Sequence, residues 1–114
     1  MGDDDEETTE SFYGKVVELK ALVAYQDGSI VSRSLVDADA GTITLFAFDR
    51  NQGLSEHVAP YDALVHVLDG EAEVILSNKP HRLKEGDALI IPANEPHALK
   101  APTKFKMSLT MIKR

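Results

Sequence analysis

The chain has no cysteine. Without thiols there is no disulfide, no thiolate metal site and no cysteine nucleophile, so any metal would have to be held by histidine, carboxylate or water. No apolar run approaches the roughly 18 residues of a membrane span, and the first residues are acidic where a secretory leader would be basic. The expectation is a cytoplasmic protein with no membrane partner. No stripe of Lys and Arg offers a footprint for a phosphate backbone, which argues against a nucleic-acid partner. Gly-x-Ser-x-Gly, a phosphate-cradling glycine loop and His-Glu-x-x-His are all missing.

What is present fits one domain: 114 residues, enough to bury a modest core. The net charge of −7 is concentrated at the start. Asp3, Asp4, Asp5, Glu6, Glu7 and Glu10 supply six of the 19 acidic residues, leaving 13 against 12 Lys and Arg. Residues 1 to 11 are expected to be a solvated, disordered acidic tail and residues 12 to 114 a single domain.

Beyond the tail, short apolar runs alternate with turn signals. Lys15 to Tyr25 reads as a short strand followed by one helical turn. Ile30 to Val36 is β-branched and reads as a strand. Thr42 to Phe48 is apolar on both faces, with Ile43, Leu45 and Ala47 on one side and Phe46 and Phe48 on the other, which predicts burial of both. Asp49 to Gly53 is a loop. Ala63 to Leu68 and Glu71 to Leu76 read as strands joined by a two-residue hairpin at Asp69-Gly70. Asn78 and Pro80 mark the next turn. Ala88 to Ile91 is a continuous apolar strand that stops at Pro92, and His97 to Lys100 is a brief strand. In the last strand Phe105, Met107, Leu109 and Met111 alternate with polar residues, one face core and the other wet. About eight short strands and hardly any helix predict an all-β barrel or sandwich.

Four histidines, His57, His66, His81 and His97, are the candidates for chemistry. His57 and His97 each sit beside a proline-marked turn, where a side chain can project from a strand edge into a cavity. Neutral imidazole is a good ligand for first-row metals. Around these two residues the chain resembles the cupin superfamily. Its second motif, G-x5-P-x-G-x2-H-x3-N, is similar to Gly86, Pro92, Asn94, His97 and Ala101, with every spacing kept. Asn94 stands for a glycine, which asparagine does well because it tolerates the left-handed conformation; Ala101 stands for the asparagine. The first motif, G-x5-H-x-H-x(3,4)-E-x6-G, is similar to the run from His57 to Gly70. Ala59 then stands for the second histidine and Ala63 for the glutamate, with Pro60 where many cupins carry proline.

The resemblance spans roughly residues 40 to 112. It implies a double-stranded β-helix, the jelly-roll barrel, and a site in which three histidines and a glutamate converge on one metal; two of those four are alanine here. Asp62 reads first as a surface or turn-capping carboxylate. A bulge near Pro60 would turn it, together with His66, into the cavity. Glu56 and Gln52 are further candidates for a missing ligand, and Asn94 lies beside the pocket. The first reading of function is a module that binds a small polar or sugar-like molecule, with His57 and His97 as hydrogen-bonding groups and a weak or degenerate metal site. The alternative is a divalent-metal-dependent enzyme of dioxygenase or isomerase type, in which the two histidines weakly hold one transition metal. A third is a structural role with a vestigial pocket. By fold-level analogy a homodimer is expected, with contact at Ile30 to Val36 or the N-terminal segment.

Overall fold

The structure, a computed structural model, describes residues 12–114; the expected acidic tail lies outside the described residues. Eight strands follow one another, all paired antiparallel: β1 (Ile30–Ala38), β2 (Gly41–Phe48), β3 (Gly53–His57), β4 (Tyr61–Leu76), β5 (Lys79–Lys84), β6 (Ala88–Ile91), β7 (His97–Lys100) and β8 (Phe105–Lys113). The main path runs β1-β2-β8-β4-β7-β3, with β5 and β6 added to β4. The curled all-β barrel expected from the motif spacing is what forms.

β4 organises the whole. Its first part pairs with β8 on one side and, over Ala63–His66, with β6 on the other. Its second part, Glu71–Leu76, pairs with β5 and β7. One strand therefore belongs to two sheets, and the expected hairpin at Asp69-Gly70 is not there. A hairpin of that type needs positive φ at both turn residues, and of the two only Gly70 has it, at +73°. The ladder to β8 slips between Val67 and Asp69, the mark of a bulge, and the strand bends from one sheet into the next. The two-residue turn lies at Ser77-Asn78, with φ of +49° and +68°, and joins β4 to β5.

Between the sheets lies the main core: Phe48, Val65, Val67, Val74, Ile91, Phe105 and Met107 are buried. Phe48 and Phe105, opposite each other on β2 and β8, stack with centroids 4.5 Å apart at 11°. The expectation that both faces of the second strand are buried is met, by two different cores. Phe46 and Phe48 face the interior, while Leu45 and Ala47 face outward under the N-terminal segment.

That segment is not a strand. Val16 is fully exposed at 104%, and among the described residues no strand forms before Ile30. The expected helical turn is present as a short 3-10 turn, Leu19–Ala21. The segment acts as a strap instead. Val23 is buried with Leu19, Leu22 and Tyr25 over Leu45 and Ala47. Polar bonds pin it down: Arg33 donates to the Leu22 carbonyl at 2.9 Å, Lys106 to the Lys20 carbonyl at 2.7 Å, and the Tyr25 hydroxyl to Asp69 at 2.6 Å. Burial, and then the bond to and the negative charge of Asp69, push the Tyr25 phenol well above its ordinary range. A raised folded pKa stabilises fully below the unfolded tyrosine value of about 10 and is lost as pH rises through the folded one. The unfolding midpoint should therefore fall more steeply above that pH in the wild type than in Tyr25→Phe, which is itself expected to cost about 1 kcal/mol at neutral pH. Parallel pH profiles in thermal melts would refute this.

Candidate functional site

β3 and β7 bring the two candidate histidines together. His57 lies opposite His97 in the register, and the rings stand 4.3 Å apart between centroids, tilted by 59°. His97 is 8% exposed, whereas His57 is at the surface. Both rings are held by a local bond of one kind. His57 Nδ1–H donates to the Ser55 carbonyl and His97 Nδ1–H to the Glu95 carbonyl, each at 2.9 Å. A carbonyl only accepts, so the neutral ring carries its proton on Nδ1 and a free lone pair on Nε2. His81 makes the same bond to the Lys79 carbonyl at 3.0 Å. The bond alone is thus no signature of a site; the pairing of two such rings is.

The imidazoles close one side of a cavity of about 50 Å³ inside the barrel, room for a few waters or a short alkyl group. Its walls are otherwise aliphatic, including Leu54, Val65, Ile91, Leu99, Met107 and Leu109; Tyr61 supplies a further polar group. Ala59 and Ala63 are also on the lining. The four positions that the resemblance assigns to metal ligands, 57, 59, 63 and 97, therefore meet at one place, and two of them offer only a methyl group. A tightly held ion of the zinc type takes three or more protein donors. Among the described residues no group of three His, Cys, Asp or Glu side chains converges. The residues present do not fit a resident metal.

The other candidates lie elsewhere. Ala63 and Val65 face the cavity, so strand alternation turns Asp62 and His66 to the other side of β4, and neither is on the lining. No bulge rescues them, because the ladder slips only beyond Val67. The Asp62 carboxylate accepts from the Ala93 N–H at 2.9 Å and pairs with Arg114 at 3.1 Å, the turn-capping role that its position suggested. Asp62→Ala should accordingly cost about 1–2 kcal/mol in denaturant unfolding and leave cavity binding intact. Asn94 is exposed with φ of +68°, and its N–H donates to the Ala59 carbonyl at 2.8 Å. It does the work of the glycine it replaces, tying one motif to the other, and contributes no side chain to the cavity. Glu56 is exposed, and Gln52 lines a separate open groove of about 320 Å³ with Glu73 and Lys100. That groove is larger, but it holds no paired imidazoles and lies open to solvent. Tyr61 is the residue that motif reasoning passes over; its parity with Ala63 and Val65 is the signal that places it inside.

Comparison with known proteins agrees with this fold. The family model described as Cupin domain matches residues 44–113. The chain is 35% identical to a conserved protein of unknown function from Streptococcus pyogenes, with 90% of each chain covered and a TM-score of 0.85. It is 42% identical, over 83% of its length, to a cupin 2 conserved barrel domain protein from Leptotrichia buccalis, of which it spans 46%, at a TM-score of 0.81. A cupin superfamily protein from Desulfitobacterium hafniense is 27% identical, with 89% of this chain and 93% of that one covered and a TM-score of 0.84. No protein of curated function matches.

Proposed function

The chain belongs to the cupin family, and on that premise we propose that it binds a small molecule in the barrel without a resident metal. The observation that carries this is the lining of the cavity: two imidazoles where the resemblance implies four ligands, set against aliphatic walls. A sugar-like ligand is poorly complemented there, because each hydroxyl turned toward Val65, Leu99 or Met107 would lose its water and find no partner, at about 1–3 kcal/mol apiece. A better complement has a short apolar body and one polar head able to donate to Nε2 of His57 or His97, with Tyr61 as a third polar contact.

The test is a titration followed by the nitrogen resonances of the two imidazoles. Short-chain alcohols and amines form one probe set and monosaccharides the other. Saturable shifts with the first set, abolished in His97→Ala, support the reading. Saturation by monosaccharides alone sinks it.

The free Nε2 lone pairs favour one second reading, in which a divalent ion is held loosely by His57, His97 and water. Elemental analysis of protein purified without a histidine tag separates the two. Stoichiometric metal that His97→Ala removes would overturn the metal-free reading and open the question of an enzyme.

A further inference from the structure

The cavity has a neighbour at the end of the barrel. Asp37, Thr42, Met111 and Ala63 stand directly opposite one another across β1, β2, β8 and β4. Ala63 and Met111 line the inner cavity, and residues of one such row share a face of the sheet. Thr42 and Asp37 therefore face inward as well. Each of the four lies near a strand end, and there a cleft of about 180 Å³ opens between Asp37, Asp39, Thr42, Tyr61, Met111 and Lys113. Tyr61 and Met111 are on the linings of both spaces. Two side chains thus separate cleft from cavity, and one is a methionine, whose unbranched thioether chain adapts its shape readily.

The chemistry of the cleft suits a cationic head. Among the described residues no ion pair or hydrogen bond engages the side chain of Asp37, Asp39 or Lys113. Carboxylates outnumber the ammonium two to one, so the cleft attracts positive charge. Thr42 Oγ1 is buried and has no hydrogen-bond partner, which is rare for a buried hydroxyl and calls for a group to satisfy it. An alkylammonium has three donors and no acceptor; the two carboxylates and this hydroxyl oxygen offer it three acceptors. From Thr42 on β2 to Ala63 on β4 is two ladder steps, about 10 Å, a span that an alkyl chain bridges and a single polar group does not.

We propose that the cleft is a head-group subsite for an amino alcohol: it holds the ammonium, the alkyl chain passes Tyr61 and Met111, and the far hydroxyl donates to Nε2 of His57 or His97. This rests on the reading of the cavity as a binding site and adds a second point of recognition, on residues outside the motif positions. Lys113 opposes the ligand's charge and so limits its affinity.

Calorimetric titration of the full chain with aminobutanol and aminohexanol, against butanol and hexanol, tests this. Each amino alcohol should bind roughly threefold to tenfold more tightly than its alcohol at low salt, as two exposed ion pairs allow, and the gain should shrink as salt screens it. Asp37→Asn combined with Asp39→Asn should bring each amino alcohol down to its alcohol, and Lys113→Gln should enlarge the gain. Thr42→Val should weaken the amino alcohols while raising the melting temperature, because it deletes an unsatisfied hydroxyl; a merely structural hydroxyl would lower it. Amino alcohols that bind no better than alcohols overturn the proposal. So does tighter binding of hydroxy acids that Lys113→Gln abolishes, the mark of an anion site. Either result leaves the binding reading of the cavity standing, whereas alcohols and amino alcohols that all fail to shift the imidazole resonances sink that reading and this proposal with it.

Discussion

Ala59→His combined with Ala63→Glu is expected to convert the cavity into a metal site. Both alanines are on the lining with His57 and His97, so the double variant restores four convergent donors without moving the backbone. Each added ligand contributes on the order of a few kcal/mol, and 1.4 kcal/mol is tenfold, so affinity for Co2+ or Zn2+ should rise by at least about a thousandfold over the wild type. The visible absorption of bound Co2+ gives the readout, with one equivalent bound. Stability should report the same event. Ala63 is 7% exposed, and a glutamate there without metal is a buried charge with no partner, costing about 2–4 kcal/mol. Metal should return that loss, which makes the melting temperature of the double variant depend on metal concentration. If affinity and melting both stay flat, positions 59 and 63 do not aim where the lining places them, and the account of the cavity as a depleted metal site falls.

Gly70→Ala should be among the most damaging single substitutions in the chain. A Cβ at residue 70 would stand 1.9 Å from the carbonyl oxygen of Lys104, with the backbone at φ +73°. The obstacle is backbone, which cannot swing aside as a side chain can. The left-handed conformation alone costs about 1–2 kcal/mol, and separating β4 from the start of β8 breaks the ladder where β4 changes sheets. A loss of about 4 kcal/mol or more is expected in urea unfolding. Gly86→Ala is the control: φ is +93° but nothing lies within 4 Å of the added methyl, so only the conformational cost of about 1–2 kcal/mol remains. Equal losses at the two positions would show that the close approach at Gly70 carries no energy.

The contrast between these glycines explains how far the sequence could be read. The resemblance carried by Gly86, Pro92, Asn94 and His97 and by the run from His57 to Gly70 implies that His97 and His57 share a site and that positions 59 and 63 are their neighbours, and this holds because motif geometry survives substitution. Alternation placed Phe105 and Met107 in the core. Gly70 misled, since an Asp-Gly pair marks a hairpin and a bulge equally well, and only the distant Lys104 carbonyl distinguishes them. The stretch from Lys15 to Tyr25 misled for a related reason: Val16-Val17 favours a strand, but a strand needs an edge to join, and here the segment is better used as a cover for Leu45 and Ala47. Asp62 and His66 were open at the sequence level because one bulge reverses every side chain beyond it, and the bulge that exists comes after them.

The position of β8 between β2 and β4 has a consequence for biosynthesis. On the ribosome, β1 to β4 emerge while the strand that joins β2 to β4 is still unmade, so both are left with an open edge until residues 105–113 have been added. During that interval the nascent polypeptide displays two unsatisfied ladders of amides and carbonyls together with Val65 and Val67, and holdase chaperones should be retained on stalled chains that stop short of Phe105 and released from those that extend past Lys113.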